Sequence, residues 1–169
     1  MNEIPMEQYI MDLDGGIYEL DKSGKNYNPI EWDETKYPTM EEVQKKYGID
    51  ELVREQFDWM ILNQHYETGK WCDAGMMIPM LDILDYQLTG IIMEWQRKAQ
   101  MEMSPEQKAN PILFSGIIAN QMALAREYIR GEIIFQPIQN ILKVPLEKIP
   151  HSAQCLSEEQ LEQIMEQVN

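Results

Sequence analysis

The chain has 169 residues, 44% of them hydrophobic, and its 29 acidic against 14 basic side chains give a net charge of −15. That length and apolar content fit one domain, residues 1–169, with a core of its own, and exclude a disordered chain. The charge excludes direct binding to nucleic-acid phosphates or anionic membranes, which call for Lys/Arg patches, and favours a basic protein surface or divalent cations.

Residues 1–38 read as an N-terminal arm. Its first residues have neither a basic stretch nor an apolar run of the kind that opens a signal peptide, and no segment approaches the ~18 apolar residues of a membrane span. A reducing cytoplasm with Cys72 and Cys155 as free thiols is therefore expected. Tyr9–Leu13 and Ile17–Leu20 flank Asp14-Gly15-Gly16, which predicts a β-hairpin closed by a tight primed turn. Residues 21–38 follow as a polar loop.

Residues 39–130 predict the helical core. Thr39 and Glu42 form a capping box, and Gly48 closes that short helix. Asp50 is placed to cap the next helix, running to about Glu67 with a stripe of Val53, Phe57, Met60 and Ile61. Residues 69–75 read as a connector. Pro79 fits the first turn of a long helix to about Gln100, striped by Met80, Leu84, Leu88, Ile91 and Trp95. Ser104-Pro105-Glu106-Gln107 starts a short helix, and Asn110-Pro111 restarts it as far as Arg130, where Gly131 can end it. Gly116, Ala119 and Ala123 leave one side of that helix thin.

Residues 131–169 are broken by Pro137, Pro145 and Pro150. A short strand at Ile133–Phe135 and a helical turn at Ile138–Leu142 are both compatible with the pattern. Ser157 to Gln160 opens a C-terminal helix with Leu161, Ile164, Met165 and Val168 inward. The sum is a mainly α fold: a bundle of about three long antiparallel helices, an N-terminal β-hairpin arm and a short C-terminal helix.

Four constellations bear on chemistry. Glu55/Asp58 and Asp82/Asp85 are acid pairs at i, i+3 on consecutive helices, a hard oxygen set suited to Mg²⁺. Over residues 50–100 this spacing resembles the all-α nucleoside triphosphate pyrophosphatases, in which an ExxE pair precedes an ExxD pair. The resemblance implies Mg²⁺-dependent cleavage between a nucleotide's phosphates; each pair here departs from the family pattern at one position. On a helical wheel Glu55 and Asp58 lie opposite their stripe, and Asp82 faces away from its core, as solvated acids do. His65, Cys72, His151 and Cys155 pair as His-then-Cys twice and supply the four ligands of a tetrahedral Zn²⁺ site. Met11-Asp12-Leu13-Asp14-Gly15-Gly16 is similar to the nucleophile loop of haloacid-dehalogenase-type phosphatases, but no alternating βαβ pattern follows to carry it, which favours the hairpin turn. Trp59, Trp71, Met76 and Met77 are large adaptable side chains suited to a core or to a partner surface.

The function expected from these residues is a non-enzymatic acidic interaction protein, an inhibitor or an immunity- or phage-type accessory factor that occupies a basic surface of its partner. No cofactor is expected on that reading. The alternatives are a structural subunit of a larger assembly, in which the chain self-associates, and the Mg²⁺-dependent hydrolase.

Overall fold

The computed structural model describes residues 8–11, 13, 17–29 and 37–168. Strands β1 (Tyr9–Met11), β2 (Ile17–Leu20) and β3 (Tyr27–Pro29) form an antiparallel sheet in the order β1-β2-β3. Ile10 pairs with Tyr18, and Glu19 with Asn28. The expected hairpin is present, whereas its Asp14-Gly15-Gly16 turn and the Asp12/Asp14 motif lie outside the described residues. Strand β3 occupies part of the stretch expected to be loop. It forms because the chain reverses tightly at residues 21–26: the Asp21 N–H donates to the Asn26 carbonyl, and Gly24 takes φ +72°.

One cation docks the sheet on the helices. Lys70 Nζ donates to the Tyr9 hydroxyl at 2.8 Å, pairs with Glu19 at 2.6 Å and lies 4.3 Å from the Tyr9 ring centroid. Burial of Tyr9, followed by the nearby Glu19 and Glu67 charges, pushes its phenol well above the usual range.

Helix α1 (Met40–Lys46) opens on the Thr39/Glu42 capping box. Helix α2 (Leu52–Asn63) starts at Glu51 rather than Asp50, and the Glu51 carboxylate accepts from the Gly48 N–H at 2.8 Å instead of capping the helix. It stops at Gln64, short of Glu67, and α3 (His65–Asp73) replaces the expected connector. Thr68, Trp71 and Cys72 give α3 a buried face at helical spacing, and that burial outweighs the low helix propensity of Gly69. Gly75, at φ +75°, ends α3; a Cβ there would overlap the Tyr37 ring.

Helix α4 (Met77–Glu102) is the longest element, with Pro79 in its first turn. The short α5 (Pro105–Ala109) turns the chain into α6 (Pro111–Glu132), whose start is capped by Asn110 Oδ1 accepting from the Ile112 and Leu113 N–H groups. Helix α6 runs through Gly131 and returns alongside α4, so that Trp95 and Tyr128 meet with ring centroids 5.5 Å apart. Ile133–Phe135 is not a strand, because Phe135 turns the backbone at φ +67°. Helix α7 (Ile138–Ile141), a 3-10 turn (Leu146–Lys148) and α8 (Glu158–Glu166) complete the chain.

The core sits around the N-terminal half of α4. Met80, Leu81, Ile83 and Leu84 are fully buried there against Phe57 and Met60 of α2, Ile129 of α6 and Ile138 of α7. Among the described residues no single helix is long and apolar enough to cross a membrane; α3 and α4 reach that composition only as a pair bent by 109°.

Two buried glutamines of α2 hold the reversed segment after α6. Gln56 Nε2 donates to the Gln136 carbonyl at 2.8 Å while its Oε1 accepts from the Phe135 N–H at 2.7 Å. Gln64 Oε1 accepts from the Ile138 N–H at 3.2 Å and its Nε2 donates to Gln139 Oε1 at 3.0 Å. Replacing Gln56 by Leu leaves the Phe135 N–H and the Gln136 carbonyl without these partners. It is expected to lower the unfolding free energy by about 2–4 kcal/mol in urea denaturation.

Candidate functional site

The acid pair on α2 is engaged structurally. Glu55 forms a forked pair with Arg130, at 3.0 Å to Nε and 3.1 Å to Nη2, and so ties α2 to α6. Asp58 accepts from Arg54 Nε at 2.9 Å and from Gln44 Nε2 at 2.8 Å, which ties α2 to α1. The α4 pair lies off the core, as the helical wheel places Asp82: Asp85 is exposed and Asp82 half-buried. The chain leading to α8 crosses Asp82, whose Oδ2 accepts from the Leu156 N–H at 2.7 Å. Among the described residues no three His, Cys, Asp or Glu side chains gather as the ligands of a metal ion do.

The four His and Cys residues are also dispersed in role. His65 is exposed, with its ring edge-on to Tyr66 at 5.9 Å. The His151 ring nitrogen Nδ1 bonds the Ala74 carbonyl, and the neighbouring Ser152 N–H donates to the Gly75 carbonyl at 2.7 Å; both contacts fasten the C-terminal segment over the end of α3. Both cysteines are free, Cys72 buried and Cys155 exposed. Burial, then the Asp73 charge, pushes the Cys72 thiol up to about 12.

The candidate partner anchors belong to the core. Trp71 and Met77 are buried, and Trp59 and Met76 are half-buried against the same cluster. Trp71 and Met77 pack the interior, while Trp59 and Met76 keep part of their surface open.

Two open grooves lie where α8 meets α4. Leu161, Ile164, Met165 and Val168 of the C-terminal segment pack toward the core, and a groove runs along each side. One groove, of about 540 Å³, is lined by Asp82, Asp85, Glu158 and Glu162 together with Tyr86 and Met93, and by no Lys or Arg among the described residues. Burial raises the pKa of Asp82, with Asp85 adding to the effect, against a hydrogen bond from Leu156 and the charge of Lys46. Asp85 has an exposed surface yet sits among protein atoms, and this desolvation, then the charge of Glu51, raises its pKa as well. The Tyr47 hydroxyl is buried near these carboxylates and Cys155, without a hydrogen-bond partner among the described residues; burial and the surrounding negative charge hold it in its protonated form. The second groove, of about 820 Å³, is lined by Trp95, Tyr128, Glu94, Lys98 and Glu102 from α4 and α6, with Met165 at its edge.

Sequence spacing pointed to Asp82 and Asp85 but not to Glu158, Glu162 or Tyr47, which come from elements far away in the chain. No local signal marks them.

Compared with protein-family models, curated proteins and solved structures, the chain matches none.

A thiol reagent such as Ellman's is expected to modify one cysteine per folded chain. Cys155→Ser should abolish that reaction, and Cys72 should react only after unfolding.

Proposed function

We propose that this chain is a non-enzymatic interaction protein that binds a basic segment of a protein partner in the acidic groove between α4 and α8. One observation carries the reading: Asp82, Asp85, Glu158 and Glu162 line a single groove that no Lys or Arg among the described residues lines. Burial penalises the ionised form of two of these carboxylates, Asp82 and Asp85. An Arg or Lys side chain entering the groove relieves that cost, because an opposite charge favours the ionised form. The four acids are spread along the groove rather than gathered at one point, an arrangement suited to an extended cationic segment. Tyr86 and Met93 supply apolar and aromatic surface for the aliphatic stems of such side chains. The net charge of −15 draws a basic partner toward the molecule over longer range. An inhibitor or accessory factor that covers a partner's basic surface is the role this chemistry serves.

The same groove links binding to pH. Folding raises the pKa of Asp82 and of Asp85, so their contribution to stability is present at acid pH and is lost as pH rises through the folded-state values. Above those values the ionised pair opposes folding. The double substitution Asp82→Asn with Asp85→Asn keeps an acceptor for the Leu156 N–H. It is expected to raise the melting temperature at neutral pH, with the gain vanishing below about pH 4, where the wild-type acids are protonated. The same variant should bind a nonaarginine peptide on the order of tenfold more weakly by fluorescence anisotropy, a loss of about 1–2 kcal/mol. Wild-type binding should itself weaken as salt rises. Peptide affinity unchanged by the double substitution would exclude this groove as the binding site.

A further inference from the structure

The C-terminal half of α4, the short α5 and the N-terminal half of α6 form a two-helix hairpin that stands outside the core. The buried cluster takes α4 side chains no further than Ile92 and no α6 side chain before Ile129. Yet this part of α6 is apolar: residues 111–125 contain no charged side chain. Only Ala125 and Ile129 of the whole helix are buried. Leu113 is 50% exposed, Leu124 40% and Tyr128 41%. With Ile117 they fall at successive steps of four, seven and four residues, which places them on one stripe of the helix. A stripe of this spacing is the seam along which helices pack on one another. Its Tyr128 end opens into the larger groove, beside Trp95.

Charge decides what covers this stripe. Residues 93–125 carry three acidic side chains (Glu94, Glu102, Glu106) and three basic ones (Arg97, Lys98, Lys108), so the hairpin is neutral and the full net charge of −15 resides on the rest of the chain. A basic partner gains least here, and two copies of a strongly acidic molecule repel each other least here. The charges at the rim also suit a two-fold contact. Glu94, Lys98 and Glu102 line the groove one helical turn apart, so an antiparallel copy placed about a two-fold axis can set acid against base.

We propose that the α4–α6 hairpin is a homodimerisation surface, on which a second copy of this chain packs its own hairpin to complete a four-helix bundle. Leu113, Ile117, Leu124 and Tyr128 of each copy form the seam, and Trp95 fills the groove between the hairpins. The acidic groove beside α8 shares Tyr86 and Gly90 with the larger groove, but its four carboxylates lie outside the seam.

The test is light-scattering mass measurement on the full chain during size-exclusion chromatography, up to about 100 µM protein. The expected mass is twice 19.9 kDa. Dimerisation should strengthen as salt screens the mutual repulsion of the acidic bodies, the opposite of the salt response of peptide binding. Leu113→Glu with Leu124→Glu buries charge in the seam and should weaken association by at least a hundredfold, on the order expected for two unpaired buried charges. Both positions are surface-exposed in the monomer, so its helical circular dichroism and melting should be kept; if the glutamates unfold the chain, Leu113→Gln with Leu124→Gln tests the same seam. Asp82→Asn with Asp85→Asn should leave the dimer intact. A monomeric mass throughout the concentration and salt range, or a dimer that survives both seam variants, would overturn the proposal.

Discussion

The buried N-terminal half of α4 is the constraint from which the rest of the molecule follows. Met80, Leu81, Ile83 and Leu84 exclude water on nearly every side of the helix, so α2, α3, α6 and α8 must all find their places against it. A 26-residue helix is roughly 39 Å long at 1.5 Å per residue, more than the core of one small domain can cover. The remainder stands beside α6, with α8 reaching only its near part. One helix thus serves as the centre of a hydrophobic core at one end and as a wall of an open hairpin at the other.

The acidic side chains divide along the same line. Glu55 and Asp58 neutralise arginines and fasten α2 to its neighbours, where they contribute to the fold rather than to a site. Asp82 and Asp85 are placed at a cost, since burial raises their pKa, offset in part at Asp82 by the Leu156 N–H and the charge of Lys46. Local destabilisation of this kind is common where a surface is kept ready for a ligand, because groups optimised for binding are not free to be optimised for stability. The neutral hairpin and the acidic groove are therefore complementary surfaces, one suited to self-association and one suited to a cationic partner.

Much of the architecture was legible in the residues. The three capping boxes at Thr39, Ser104 and Ser157 are present as expected, because capping depends only on side chains three residues apart. The stripe on α4 as far as Ile91 and that on α8 face the core for the same local reason, whereas Trp95 lies beyond the core. Errors arose where tertiary contacts overrode local preference. Helix α3 forms through Gly69 because Trp71 and Cys72 have a core to enter. Phe135 adopts a left-handed backbone because the N–H it exposes is received by Gln56, 79 residues away. Asp50 fails to cap α2 because Glu51 takes that position and turns its carboxylate to Gly48.

By itself the sequence determined the mainly helical class, the paired N-terminal strands, the helix starts at Thr39, Ser104, Asn110 and Ser157 and the strongly acidic balance, since all of these rest on composition or on neighbours within one or two helical turns. Only the tertiary structure decided which acids are engaged and which line a groove. It also showed that Trp71 and Met77 are interior, and that the apolar stripe of α6 is left half-exposed among the described residues. Each of these depends on a partner far away in sequence: Arg130 for Glu55, Leu156 for Asp82, and for the α6 stripe the point along α4 at which the core ends. Helical periodicity reports that a side chain has a face; it carries no information on what that face meets.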